Sequence, residues 1–147
     1  MQNPFMTEAL NEAKLALAEG EIPIGAVIVK DGEIISRGHN LRESAKHALL
    51  HAETIAIDRA CKALGDRRLF DCDLYVTLEP CAMCCGAIAH AKIRRLYFGA
   101  YDPKGGFAVS NAALMSHPGL MHKTECYCGI MEDECSSLLQ EFFRQLR

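Results

Sequence analysis

Leu74-Tyr75-Val76-Thr77-Leu78-Glu79-Pro80-Cys81-Ala82-Met83-Cys84 passes from an apolar, partly β-branched run to an alanine- and cysteine-rich one through a single proline. The first part predicts a strand over 74–78. The second predicts a helix from Cys81 to Ala91, opened by Pro80 at its first turn. Cys81 and Cys84 stand at i and i+3 on that helix, so they share a face and both sulfurs can reach one ion. A helix N-terminus also favours thiolate over thiol, the form that binds metal.

Upstream, His51-Ala52-Glu53 lies 27 residues before Pro80 and opens a second predicted helix over 51–64, rich in alanine and ended by Gly65. From Phe5 to Glu19 apolar residues recur three to four apart, a helical stripe that Gly20 stops. Ile24 to Val29 is apolar and β-branched, and Asp31-Gly32 supplies a hairpin turn into residues 33–36. Downstream come a short strand over 95–98 and a last helix from about 132 to 147. Cys126, Cys128 and Ile130 alternate and read as one buried face of a fifth strand. Gly99 to Thr124 reads as mostly irregular, and an ordered loop of that length is often functional. No repeat or linker divides the chain, so residues 1–147 are expected to form one domain. Its class is α/β, a three-layer αβα sandwich around a mixed five-stranded sheet. The hairpin should supply antiparallel pairing and the helical crossovers parallel pairing.

The chain has 147 residues, half of them hydrophobic and 24% charged, with a net charge of −3. At this size the core needs no disulfides. No apolar run reaches the ~18–20 residues of a membrane span, and Met1 to Leu10 shows no export signal. A cytoplasmic protein with no membrane partner is therefore expected. The net charge excludes a bulk coat for nucleic acid. Residues 86–110 nevertheless carry Lys92, Arg94, Arg95 and Lys104 against Asp102 alone, either a local basic face or a solvated run. Eight cysteines in a reducing compartment are core residues, metal ligands or catalytic groups.

His51 with Cys81 and Cys84 makes three protein ligands for zinc. Structural zinc usually has four; three leave a position for water, the mark of a catalytic site. Cys85, about 100° around the helix from Cys84, reads as packing. Bound zinc lowers the pKa of water from about 15.7 toward ~7, and Glu53 beside that water can carry its proton to a ring nitrogen. Attack at an amino-bearing ring carbon, protonation of the ring and loss of ammonia add up to hydrolytic deamination. His-x-Glu followed by Pro-Cys-x-x-Cys is the signature of zinc nucleobase deaminases. The alternatives are a redox pair, which has no need of His51, and a structural zinc, which wants a fourth ligand and no adjacent glutamate.

Over nearly its whole length the sequence resembles the bacterial tRNA-specific adenosine deaminases, within the cytidine/deoxycytidylate deaminase superfamily. The resemblance is carried by Glu21-Ile22-Pro23-Ile24-Gly25-Ala26-Val27, Gly38 to Glu43, Leu74 to Cys84, Phe98-Gly99-Ala100 and Asp102 to Gly106, with His117-Pro118-Gly119 and Asp133-Glu134-Cys135. It implies a homodimeric αβα enzyme that converts the wobble adenosine of a tRNA anticodon to inosine. It also implies Zn2+ on His51, Cys81 and Cys84, proton transfer by Glu53, and a base held by Asn40, the Ala52 N–H and a pocket lined by Ile24. Arg42, Asp102 and Lys104 match positions that hold neighbouring nucleotides of the tRNA anticodon stem-loop. Arg68 and Phe143-Arg144 fall at the rim. Asparagine suits adenine's donor–acceptor pattern, and loop phosphates need lysine or arginine. Asn40 and Asp102 are also ordinary turn residues, while Phe142 and Phe143 are expected to face the core.

The sequence departs from the family at Ala48-Leu49-Leu50, where proline, threonine and alanine often precede the histidine. It departs again at Phe107-Ala108-Val109, where small residues including glycine are favoured before the expected Ser110. Both segments are expected to border the cleft and narrow it. A deaminase of a free base or nucleoside (guanine, cytosine or cytidine) shares the zinc motif, whereas a non-catalytic zinc subunit would be expected to lack Glu53. His117, His122, Cys126 and Cys128 make a poor second zinc site, because Cys-x-Cys is not the usual spacing. Cys61, Cys72 and Cys135 are expected in the core.

Overall fold

Asn3 starts the first helix by accepting the N–H groups of Phe5 and Met6 on its side-chain oxygen, both at 3.0 Å. The computed structural model describes residues 2–120 and 122–146. Its elements are α1 (Pro4–Ala18), β1 (Gly25–Lys30), β2 (Glu33–His39), α2 (Ala52–Leu64), β3 (Cys72–Leu78), α3 (Ala82–His90), β4 (Arg95–Ala100), β5 (Glu125–Tyr127) and α4 (Glu132–Gln145). Arg147, the expected end of the last helix, lies outside the described residues. No helix among them is long and apolar enough to cross a membrane.

The five strands form one mixed sheet in the order β2-β1-β3-β4-β5. Asp31 and Gly32 both take positive φ, 51° and 77°, the signature of the type I′ turn that suits hairpin twist. β1 pairs antiparallel with both β2 and β3, and β3–β4 and β4–β5 are parallel. The α2 crossover thus joins β2 to β3, which run the same way with β1 between them.

Alternation along β1 builds both faces. Ala26 and Ile28 enter the core beneath α2 and α3, with Leu74, Val76, Ile88, Leu96 and Phe98. Val27 and Val29 enter the opposite core beneath α1 and α4, with Met6, Ala9, Leu10 and Tyr75. This is the expected three-layer α/β arrangement. Three details differ from the sequence reading. Pro80 precedes the cap residue Cys81 instead of lying in the first turn of α3. β5 is only three residues long, because Gly129 takes φ 74° and turns the chain. Cys126 and Cys128 therefore pack on the α2–α3 side while Ile130 packs on the other, so the three do not share a face. The third difference is Phe143, which is 50% exposed and does not face the core.

Candidate metal centre and active-site cavity

Gly38 lets α2 lie close against β2: a Cβ there would stand 2.6 Å from the Ala52 carbonyl oxygen and 2.9 Å from the Ala56 nitrogen. The Ser36 hydroxyl adds a 2.8 Å bond to the Ala56 carbonyl. Residue 51 is thereby brought to the sheet's edge as the cap of α2, and Cys81 arrives as the cap of α3. Two helix N-termini converge on one point, each carrying partial positive charge toward it.

The His51 Nδ1 lies 3.7 Å from Cys81 Sγ and 3.6 Å from Cys84 Sγ. The three ligand atoms lie within 4.8 Å of one another. A tetrahedral ion with Zn–S of about 2.3 Å and Zn–N of about 2.05 Å requires an N···S separation of about 3.6 Å. The donor set and the spacing both fit zinc. Electrostatics agree with the donor role. The Cys84 thiol and the His51 ring hold Cys81 down at about 4, whereas Cys84 is pushed up, first by its bond to Cys81. His51 is raised, chiefly by Cys81. The surroundings thus favour the thiolate form of Cys81, and a dication would draw out the second proton.

Glu53, in the first turn of α2, is only 4% exposed, and burial pushes its carboxyl up to about 7. It lines, with His51 and Cys81, a cavity of about 620 Å³. Ile24, Asn40, Arg42, Asp102 and Lys104 line the same cavity, and Ile22, Leu78, Tyr101 and Phe143 complete its apolar walls. Ala52 lies beneath the floor, and its N–H donates to Asn40 Oδ1 at 3.1 Å. The two expected base contacts are therefore spent partly on each other. With one Oδ1 lone pair taken by Ala52, Asn40 offers a ligand its NH2 donor and the remaining lone pair. Asp102 does form a turn: its Oδ1 accepts from the Lys104 and Gly105 N–H groups at 3.2 and 3.0 Å.

Other expectations are corrected by placement. Ala48-Leu49-Leu50 and Phe107-Ala108-Val109 do not border this cavity. Leu49 and Leu50 flank a separate groove with Leu41 and Met83, while Phe107 and Ala108 pack into the core. Arg68 pairs with Asp66 at 3.2 Å and stands away from the cavity. Half of the basic run is paired with acids, Arg94 with Asp73 at 3.0 Å and Arg95 with Glu125 at 3.0 Å.

Glu21 and Glu79 are both buried, and the sequence reading gave neither of them a role. Glu21, 2% exposed, accepts the Glu43 and Ser44 N–H groups and the Ser44 hydroxyl, tying down the segment that bears Arg42. Glu21 lies between α1 and β1 and Glu79 directly follows β3, but their partners lie 22 or more residues away, and no local pattern shows them. Burial alone would raise the Glu21 carboxyl, yet the Ser44 hydroxyl and N–H, the Glu43 N–H and Arg42 outweigh it and hold it below the ordinary 4.5. A depressed folded value means stability that is full above pH 4.5 and lost as pH falls through the lower folded value. The urea midpoint should therefore drop on acidification below pH 4.5, and less steeply in Glu21→Gln; identical slopes would exclude this contribution.

A three-ligand metal site with a buried carboxylate beside it, at the mouth of an αβα sandwich, defines the class of zinc-dependent deaminases. Residues 1–100 match the cytidine and deoxycytidylate deaminase zinc-binding region. The chain is 50% identical over 97% of its length to the tRNA-specific adenosine deaminase of Bacillus subtilis, of which it covers 89%. It is 48% identical over 97% of its length to that of Agrobacterium fabrum, covering 94%. A solved structure from work on A-to-I editing by tRNA:A34 deaminases at the wobble position superposes with a TM-score of 0.91. That chain is 47% identical, and the match covers 94% of this chain and all of the other. The chain belongs to the cytidine and deoxycytidylate deaminase family and, within it, to the group of the tRNA-specific adenosine deaminases.

Proposed function

We propose that the protein deaminates adenosine to inosine at the wobble position of a tRNA anticodon, in the cytoplasm, as one domain spanning residues 1–147. The observation that carries this is the joining of a zinc-spaced His51–Cys81–Cys84 triangle to buried Glu53 in one cavity with Arg42 and Lys104. His51, Cys81 and Cys84 would hold zinc there, and the ion would supply the Lewis acidity that makes a water acidic near neutral pH.

The remaining work falls to the chain. Glu53, poised near 7 by burial, accepts the proton of the water that attacks C6 and delivers it to ring N1. It then passes the water's second proton to the amine, which leaves as ammonia while C6 keeps the oxygen. Ile24 and Leu78 offer apolar surface to the flat base, and the Asn40 NH2 donates to a ring nitrogen acceptor. Arg42 and Lys104 meet phosphates of the flanking nucleotides, and Asp102 accepts from an exposed base or ribose. A free base lacks those phosphates and would leave both cations unused, which favours the RNA over the free-base reading.

A homodimer is part of the proposal. Its support is the apolar flank of α2 and α3, where Leu49 stands 56% exposed beside Leu50 and Met83. The zinc-loaded protein should form inosine, read by mass spectrometry, from an anticodon stem-loop with adenosine at the wobble position. Its sedimenting mass should be about twice 16.2 kDa. Ammonia from guanine, cytosine or cytidine with the stem-loop untouched would reassign the substrate, and a 16.2 kDa particle would remove the dimer.

A further inference from the structure

We propose that Glu79 is a positioning residue for the RNA: its buried carboxylate holds the segment from Asp102 to Ser110 in the shape that presents Asp102 and Lys104 to the substrate. This deepens the tRNA reading and rests on it. Glu79 follows β3 directly and is 2% exposed. Its Oε1 accepts the Asp102 N–H at 3.1 Å and the Ser110 hydroxyl at 2.5 Å. Its Oε2 accepts the N–H groups of Val109 and Ser110 at 2.9 and 2.8 Å. Four neutral donors thus surround one carboxylate, and among the described residues no lysine or arginine pairs with it.

A buried carboxylate without a cation persists only where its oxygens are fully hydrogen-bonded. Here every donor but one hydroxyl is backbone, and all four belong to the two ends of a single loop. The loop closes directly on the group: a Cβ on Gly106 would stand 2.4 Å from Glu79 Cδ and 2.6 Å from the Asp102 carbonyl oxygen. Phe107 N–H meets the Pro80 carbonyl at 2.9 Å, so the loop is anchored on both residues that lead into Cys81. Lys104 and Gly105, between the anchored ends, face the cavity that Glu53 and His51 line. The order of chain is then strand, clamp, metal ligand: one short stretch sets the loop that meets RNA and the group that meets zinc.

Glutamine at 79 keeps the size but exchanges one acceptor oxygen for an NH2 that faces donors, so at least one N–H or hydroxyl loses its partner. Glu79→Gln should still bind one zinc per chain and show faster amide exchange at Asp102, Val109 and Ser110 than at α2. Its KM for the stem-loop should rise about tenfold, by more than kcat falls, with Glu79→Asp intermediate. Should Glu79→Gln fail to fold, Ser110→Ala, which removes one donor, should move KM the same way to a smaller extent. A KM within twofold of wild type in either folded variant, or equal losses in kcat and zinc with KM unmoved, overturns the proposal. A wild-type protein inactive on the stem-loop would instead sink the tRNA reading itself.

Discussion

Glu53→Gln should fold, hold one zinc and lose about 10²–10⁴-fold in turnover. The reason lies in what an amide can and cannot do. Glutamine fills the same volume in a pocket that leaves Glu53 4% exposed, so the packing of the first turn of α2 is kept. It cannot, however, take a proton from water and return it to a ring nitrogen. Burial holds the carboxyl at about 7, where neither its acid nor its base form is scarce at neutral pH. Inosine formation under saturating RNA, with zinc content and thermal melting measured on the same samples, tests this. Retention of more than a tenth of wild-type turnover by a zinc-loaded variant would remove Glu53 from the proton-transfer role.

The second large effect concerns the metal. Cys84→Ser should lose zinc, whereas Cys85→Ser should keep it. Cys84 Sγ faces the His51 ring at 3.6 Å, while Cys85, one residue on, is fully buried with its thiol directed to the Pro80 carbonyl at 3.7 Å. Zinc that binds only the folded chain stabilises it by about 4 kcal/mol at a thousandfold excess over Kd. For a chain of this length that corresponds to a fall in Tm of about 10 °C on chelation. Atomic absorption and melting curves on both variants, with and without a chelator, check the pair. Full zinc occupancy in Cys84→Ser, or its loss in Cys85→Ser at unchanged fold, would reassign the ligand.

Legibility in the sequence followed the range of the interactions. The helices that His51 and Cys81 open were readable because an alanine-rich run, Gly65 after the first and Pro80 before the second act within a few residues, as the Asp31-Gly32 turn does for the hairpin. The placement of Pro80 before the cap and not inside the helix was missed, since one residue of boundary depends on where the cap carbonyl bonds: Cys81 O accepts the Cys85 N–H. The short β5 escaped for a similar reason, as Cys126 and Cys128 alternate as a strand should until Gly129 turns left-handed and sends Ile130 to the other side.

Spacing and residue chemistry alone determined the αβα class, the three metal-ligand candidates, the paired glutamate and the deaminase reaction, because a thiolate pair at i, i+3 and a His-x-Glu at a helix start constrain chemistry locally. Tertiary structure alone decided what surrounds them. It turned the Asn40 oxygen to the Ala52 N–H, took Phe107 into the core, moved Leu49 and Leu50 to a separate groove, and left Phe143 at the cavity's edge. It also revealed Glu21 and Glu79 as buried clamps whose donors come from 22 to 31 residues further along the chain. A buried charge must find its hydrogen bonds wherever the fold supplies them, and no window of sequence contains both the charge and its partners.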